Sequence, residues 1–315
     1  MKKVLVTGGA GFIGSNLVYR LLQSGYEVVV VDQEQMDYGV PLRLAHCWHD
    51  IDYVRADVRS LNVVTRAARG CEAIFHLAAI SHVPVCERNP ALAWRVNTGA
   101  TAAVLEAARL GGQMVLFAGT DHVYASQASP LVEGLPFQTE PDSVYSATKI
   151  AGIQLCQMYS ERFNVDARIL VSSNVFGAGQ DGGKVVPLFI KAAIKGDPLV
   201  VHGGSQVMDQ YHVDNLVNAY IHILKLPVTA PKMYHVGSGH RTSVRELAED
   251  VIRLCNSTSR VHSSVFRFDV TPDKCWVMDT SRLRSTGWVL TVPYHEGLRR
   301  TIALEMADAA RGVCH

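Results

Sequence analysis

Tyr145 and Lys149 close the two ends of Tyr145-Ser146-Ala147-Thr148-Lys149. One helical turn apart, they share a helix face. A lysine ammonium beside a tyrosine favours the phenolate and lowers its pKa. A tyrosine so tuned can take a proton from a hydroxyl while a hydride leaves the same carbon. Many ordinary helices carry such a pair, and Thr120 makes it specific. It follows an apolar run, Met114 to Ala118, that reads as a strand. Its hydroxyl would therefore emerge at the carboxyl edge of a sheet, where ligands of doubly wound folds bind.

A second constellation stands at the start of the chain. Thr7-Gly8-Gly9-Ala10-Gly11-Phe12-Ile13-Gly14 follows a strand and opens a helix. Glycines there let backbone N–H groups approach a pyrophosphate, and the helix dipole favours the anion. Gly8, Gly11, Phe12, Ile13 and Gly14 are the predicted loop contacts. Asp32 ends the second strand, placed to accept the two ribose hydroxyls of NAD and to repel a 2′-phosphate. Asp57 and Val58, after the next strand, are candidates for the adenine, although a capping Asp is also common at such a place.

Positioning these groups takes a regular scaffold. Val4 to Val6, Val28 to Val31, Ala73 to Leu77, Met114 to Ala118 and Ala167 to Val171 are nearly all apolar, as strands buried on both faces should be. Gly14 to Ser24, Pro90 to Leu110 and Val144 to Phe163 read as helices between them. The alternation predicts an α/β doubly wound parallel sheet of Rossmann type. Beyond residue 172 Gly, Pro and Asp multiply and the pattern loosens, except for a helix at Val213 to Leu224. The expected division is a dinucleotide-binding domain over residues 1–171, with 213–235 returning to it. A smaller mixed α/β substrate lobe takes 172–212 and 236–315. Trp48, Trp94 and Trp276 read as packing residues.

Composition excludes several classes. The 315 residues carry 30 Lys+Arg against 29 Asp+Glu, a net charge of +1, so no basic excess exists to collect nucleic-acid phosphates. No apolar run is long enough to span a membrane, and the N-terminus passes into a strand rather than a signal peptide. The 7 cysteines are scattered without a Cys-x-x-Cys, the pattern of reduced thiols in a cytoplasmic protein with no structural metal.

Taken together, the glycine loop, Asp32, His76-Leu77-Ala78-Ala79, Asn97, Thr120 to Tyr124, Tyr145/Lys149, Asn174-Val175-Phe176-Gly177 and His212-Val213-Asp214 resemble the extended short-chain dehydrogenase/reductases of the NAD-dependent epimerase/dehydratase family, which act on nucleotide sugars. The resemblance runs from Gly8 to about Leu224. It implies that Tyr145 is the acid/base, that Lys149 binds the nicotinamide ribose and that Thr120 orients the reacting hydroxyl. Leu77, Ala78 and Ala79 would line the cofactor, with Asn97 nearby. Ser81, His82 and Asn174 would face the sugar nucleotide. The family also implies a homodimer, built from the helices carrying Pro90 to Leu110 and Tyr145/Lys149.

Two departures bear on the substrate. Where family members often carry phosphate-gripping arginines, this chain has Val171 and Met208, and a thioether cannot replace a guanidinium. Lys184 and Arg267 are the candidate substitutes. After Thr120 stand Asp121 and His122, where sugar 4,6-dehydratases commonly carry an acid and a Glu base; histidine can act as a base near neutrality. The resulting expectation is a nucleotide-sugar epimerase acting through a transient 4-keto sugar. A 4,6-dehydratase using Asp121 and His122 is the alternative. A reading from a different class is a non-catalytic NAD-binding scaffold, against which the intact Thr120, Tyr145 and Lys149 argue.

Overall fold

The computed structural model describes residues 2–33, 41–125, 130–180, 183–264 and 275–311, with side chains through Ala309. In chain order the strands are β1 (Lys3–Thr7), β2 (Glu27–Asp32), β3 (Ile51–Arg55), β4 (Cys71–His76), β5 (Met114–Thr120), β6 (Ala167–Ser172), β7 (Asn174–Phe176), β8 (Leu199–His202), β9 (Val207–His212), β10 (Met233–Val236), β11 (Arg241–Ser243), β12 (Val261–Ser264) and β13 (Cys275–Trp276). The helices are α1 (Phe12–Gln23), α2 (Leu61–Ala67), α3 (Val83–Arg88), α4 (Pro90–Ala93), α5 (Ala100–Gly111), α6 (Val144–Phe163), α7 (Val185–Lys195), α8 (Val213–Leu224), α9 (Val244–Leu254), α10 (Ser281–Ser285) and α11 (Tyr294–Arg311).

Two compact units emerge. The first comprises Met1–Ala125, Gly134–Ser172 and Val217–Tyr234. It is built on a 7-stranded sheet in the order β10-β6-β5-β4-β1-β2-β3, with β1 to β6 parallel wherever they pair. Val4, Leu5, Val6, Ile74, Phe75, Val115 and Leu116 are wholly buried, as a sheet covered on both faces requires. The strand order reverses between β1, which leads outward to β2, and β4, which leads to β5. Ligands of open α/β sheets bind outside the carboxyl ends of the strands at such a reversal.

Two local features set the elements that carry the candidate site residues. Helix α6 begins at Ser143, whose Oγ accepts the Ser146 N–H at 3.1 Å; it ends at Asn164 with φ 55° in the left-handed region. Tyr145 thus lies in its first turn and Lys149 one turn further on. The helix predicted over Pro90 to Leu110 is instead three pieces: α4, a π-helical turn over Trp94–Gly99, and α5. The wider turn carries Asn97, 3% exposed, where its amide can bridge two other elements. Trp94, expected to pack, is 43% exposed, whereas Trp276 is buried and Trp48 packs on Tyr53 with ring centroids 5.1 Å apart.

The second unit comprises Ser126–Glu133, Ser173–Leu216 and His235–His315. Its strands are short. β11, β9 and β13 line up with β7 paired to β9, and β12 pairs with β8. Its core gathers Phe176, Phe189, Ile190, Leu199, Leu247 and Leu298 among others. The segment before Gly134 is tied in by backbone bonds: Leu131 N–H donates to the Val277 carbonyl, and Asp279 N–H donates to the Leu131 carbonyl, both at 2.8 Å.

Candidate active site

The glycine loop follows β1 directly. Gly8 has φ +72°, and a Cβ there would sit 2.6 Å from the Ala78 nitrogen, so the loop and the segment after β4 are in backbone contact. A Cβ on Gly14 would overlap the Gly8 carbonyl oxygen. Gly11 precedes α1 without any side-chain cap, which leaves the amides of the first turn, Phe12 and Ile13 among them, for an external anion. Asp32, half-buried at the end of β2, accepts Ala10 N–H at 2.9 Å and Gln33 N–H at 2.7 Å, which fixes its carboxylate beside the loop. Amides for a pyrophosphate and a carboxylate for ribose hydroxyls form a donor and acceptor set that fits NAD. Leu77 and Ala78 are held to β1 through Thr7, the Leu77 N–H meeting its carbonyl at 3.1 Å and the Ala78 N–H its hydroxyl at 3.4 Å. Leu77, Ala78 and Ala79 are all half-buried. Of the two candidates for the adenine, Val58 is buried. The Asp57 carboxylate is clasped by the Arg59 guanidinium, which holds its carboxyl below the usual range. Arg59 therefore accompanies Asp57 at that edge, a partner the motif reading missed.

The candidate reacting groups converge at the carboxyl end of β5. Thr120 is its last residue, and its hydroxyl donates to Asp121 Oδ1 at 3.2 Å. Thr120 lies beside Tyr145, which is 9% exposed. The His122 ring stands edge-on to Tyr145 with centroids 6.0 Å apart. Lys149 is 5% exposed; its Nζ donates to the Ala118 carbonyl at 3.0 Å and lies 5.0 Å from the Phe117 ring centre. Burial pulls the Lys149 ammonium down to about 8. Tyr145 departs from expectation. Burial pushes its phenol above the ordinary value, the nearby Thr120 hydroxyl acts against that rise, and Asp121 adds to it. The lysine's spacing is right for the pair, but one of its three donors goes to Ala118 and desolvation governs the tyrosine.

A hydrogen-bonded chain behind these groups was not legible as such. His76 ends β4, with Nδ1 at 2.8 Å from Thr7 Oγ1 and Nε2 at 3.1 Å from Thr101 Oγ1. Thr101 donates to the Asn97 carbonyl at 2.6 Å. The Asn97 side chain accepts Ile80 N–H at 2.7 Å and donates to the Ile80 carbonyl at 3.1 Å and to Thr148 Oγ1 at 2.9 Å. Asn97, expected near the cofactor, thus spends its polar atoms fastening the segment after β4 to α6. Cys86, which no motif marks, packs with Ala93 and Tyr145 in a small apolar cluster. Ser81 is exposed, and His82 precedes α3, half-buried.

In the second unit Asn174 opens β7 opposite Gln210 of β9. Met208, on the same strand β9, is half-buried, and Gln210 Nε2 donates to its sulfur at 3.7 Å. The neighbouring Asp209 is wholly buried and orders the unit by accepting the N–H groups of Ser238 and Gly239, both at 2.9 Å, and of Met278 at 3.3 Å. Lys184, half-buried, immediately precedes α7. Arg267 lies outside the described residues. Val171 is buried in β6. Arg168 on that strand is wholly buried too, committed to Asp166 and to the carbonyls of Ile223, Leu226 and Pro227.

Comparison with known proteins agrees with this arrangement. Residues 4–237 match the model of the NAD dependent epimerase/dehydratase family. The chain is 32% identical over 310 residues to UDP-glucose 4-epimerase of Mycolicibacterium smegmatis, covering 95% of this chain and 97% of that one. It is 28% identical over 313 residues to the trifunctional UDP-glucose 4,6-dehydratase/UDP-4-keto-6-deoxy-D-glucose 3,5-epimerase/UDP-4-keto-L-rhamnose-reductase RHM1 of Arabidopsis thaliana, covering 96% of this chain and spanning 46% of that longer protein. Among solved structures it superposes on DesIV, a dTDP-glucose 4,6-dehydratase of Streptomyces venezuelae with NAD bound, at TM-score 0.87 and 29% identity, covering 98% of each chain. With the glycine loop, Asp32 and the Thr120–Tyr145–Lys149 group in place, the chain belongs to the NAD-dependent epimerase/dehydratase family.

Proposed function

We propose that this protein is a nucleotide-sugar epimerase working through a transient 4-keto sugar. The observation that carries the reading is the convergence of Thr120, Tyr145 and Lys149 at the end of β5, with His122 where a dehydratase would present a glutamate. Bound NAD supplies the hydride acceptor and donor. Tyr145 takes the C4 hydroxyl proton as the C–H bond breaks and returns it when hydride reaches the opposite face of the ketone, so atoms and electrons balance over the cycle. Thr120 holds the reacting oxygen, and Lys149 holds the nicotinamide ribose. Asn174 contributes to the sugar-nucleotide site, together with Ser81, His82, Lys184 and Met208. The same reading includes a cytoplasmic homodimer. The exposed Trp94, Leu110, Met158 and Phe163 on the helices named for the dimer support it, as do the free thiols of Cys47, Cys71, Cys86, Cys156, Cys255 and Cys275.

A 4,6-dehydratase is the second reading. Asp121, 3% exposed beside Thr120, and the His122 ring beside Tyr145 favour it, and so does the likeness to DesIV. Incubation with a panel of nucleotide sugars in deuterated water separates the two by NMR. Epimerisation leaves no solvent deuterium on carbon, because the hydride returns internally. Dehydration gives a 4-keto-6-deoxy product labelled at C5. Turnover of a free sugar or cyclitol, with none of any nucleotide sugar, would overturn the nucleotide reading.

A further inference from the structure

Lys149 carries a charge in a place that disfavours one. It is 5% exposed, and taking an ammonium out of water favours its neutral form. Its contacts among the described residues include no carboxylate. Of the titratable groups acting on it, Cys86 of α3 and Cys156 of its own helix are thiols that burial pushes up, and His76 of β4 is an imidazole that burial keeps neutral. Tyr145, one turn earlier on α6, has its phenol pushed up as well. None of these supplies a negative charge near neutral pH. The two groups that do meet the ammonium are neighbours on β5. The Ala118 carbonyl accepts one donor at 3.0 Å. The Phe117 ring, 2% exposed, lies under the ammonium with its centre 5.0 Å from Nζ. An aromatic face is the negative part of the ring and attracts a cation at that range, most strongly where water is excluded.

The helix is shaped to admit that ring. Gly152 stands three residues after Lys149 on α6, and a Cβ there would sit 2.7 Å from Phe117 Cζ. Glycine inside a helix costs stability relative to alanine. Here the missing Cβ lets the ring lie against the turn that carries the lysine. The His76 ring stands 5.8 Å from the Phe117 ring, and being neutral it brings no second cation to compete. We propose that Phe117 is a positioning residue for Lys149: its ring face, admitted by Gly152, holds the buried ammonium charged and in place beside the Ala118 carbonyl. The proposal rests on the reading of Lys149 as the group that holds the nicotinamide ribose. A carboxylate at the same place would draw further donors into hydrogen bonds. The diffuse attraction of a ring stabilises the charge and leaves donors of the ammonium for a ligand's hydroxyls.

Holoprotein loaded with NAD and labelled with 13C at the lysine ε carbon tests this without any sugar. The Lys149 signal is assigned by its loss in Lys149→Met, then followed with pH. Site-specific incorporation next replaces Phe117 by difluoro- and trifluorophenylalanine, which keep the shape of the ring and drain its face of negative charge. The Lys149 midpoint should fall stepwise with fluorine count, by about half a pH unit or more for the trifluoro ring. Phe117→Leu should lower it at least as far, and Gly152→Ala, which pushes the ring away, should lower it too. Circular dichroism and NAD content verify the fold. Should Phe117→Leu or Gly152→Ala not fold, the fluorinated rings still decide the matter. A midpoint that fluorination leaves unmoved overturns the proposal even where Phe117→Leu shifts it, because the ring would then only fill space. No titration of Lys149 between about pH 6 and pH 10 in any of these proteins overturns it as well. Lys149→Met with wild-type NAD content and wild-type turnover of nucleotide sugars sinks the ribose reading instead, a failure distinct from an unmoved midpoint.

Discussion

At the scale of single residues, the site combines groups with opposite demands on burial. In the proposed reaction Tyr145 exchanges a proton with a ligand yet is 9% exposed, and Lys149 acts as a cation yet is 5% exposed. Removing the phenol oxygen tests the first demand. Tyr145→Phe should lower turnover about a hundredfold or more while cofactor, measured by chromatography of the denatured protein, stays bound at the wild-type ratio. His76 makes a different demand. Burial, with Lys149 nearby, holds its imidazole down at about 3 against the ordinary 6.5. Between those values the unfolded chain binds a proton that the folded chain refuses. The stability present above pH 6.5 is therefore lost as the pH falls through that window, by about 1.4 kcal/mol per unit of acidification from this group alone. His76→Gln keeps polar atoms for Thr7 and Thr101 but does not titrate there. Urea midpoints of the two proteins should therefore converge as pH drops from 7 to 5; a constant gap across that range would exonerate His76.

At the scale of elements, the π-helical turn over Trp94–Gly99 matters most, because through Asn97 it joins the segment after β4 to α6. Asn97→Ala would strand the Ile80 amide and one bond of Thr148, and should cost about 2–3 kcal/mol in urea unfolding, with turnover falling more than NAD content. Asn97→Ala with full turnover and unchanged stability would show that the clamp is dispensable. The turn also marks where sequence reading stops. Strands β1, β2, β4, β5 and β6 were legible because burial on both faces makes each a continuous apolar run. Helix α6 was legible to its ends, since Ser143 and Asn164 are local capping signals. A single extra residue in a helical turn leaves no trace in apolar spacing, so Pro90 to Leu110 read as one helix. The strands of the second unit, two to six residues long, are stabilised by distant partners such as β9 for β7, β11 and β13, and short runs carry no period of their own. The same division holds in the site. Tyr145, Lys149 and Thr120 lie in local motifs, whereas Cys86, Arg59 and the His76–Thr101–Asn97 chain matter only through contacts that folding creates.

At the scale of the whole molecule, the question is what covers the apolar residues left on the first unit. Trp94 is 43% exposed, Leu110 58%, Met158 37% and Phe163 49%. They belong to the π-helical turn, α5 and α6, and the last two elements are neighbours: Tyr159 Oη donates to Glu106 at 3.3 Å, and the Arg109 guanidinium lies 5.9 Å from the Phe163 ring centre. Large exposed apolar side chains spaced along adjoining helices are a mark of a surface buried by association. A net charge of +1 sets up no long-range repulsion between two copies. Light scattering behind size-exclusion chromatography should therefore give twice the chain mass of 34.5 kDa. Adding charge at two of these positions, Trp94→Glu with Phe163→Glu, should return the protein to a single-chain mass at micromolar concentration without loss of helical signal. Because α6 also carries Tyr145 and Lys149, that variant should lose thermal stability in a concentration-independent way, whereas the wild-type midpoint should rise with protein concentration. A wild-type protein that elutes at single-chain mass, with a midpoint indifferent to concentration, would remove the dimer. Trp94 and Phe163 would then simply face solvent.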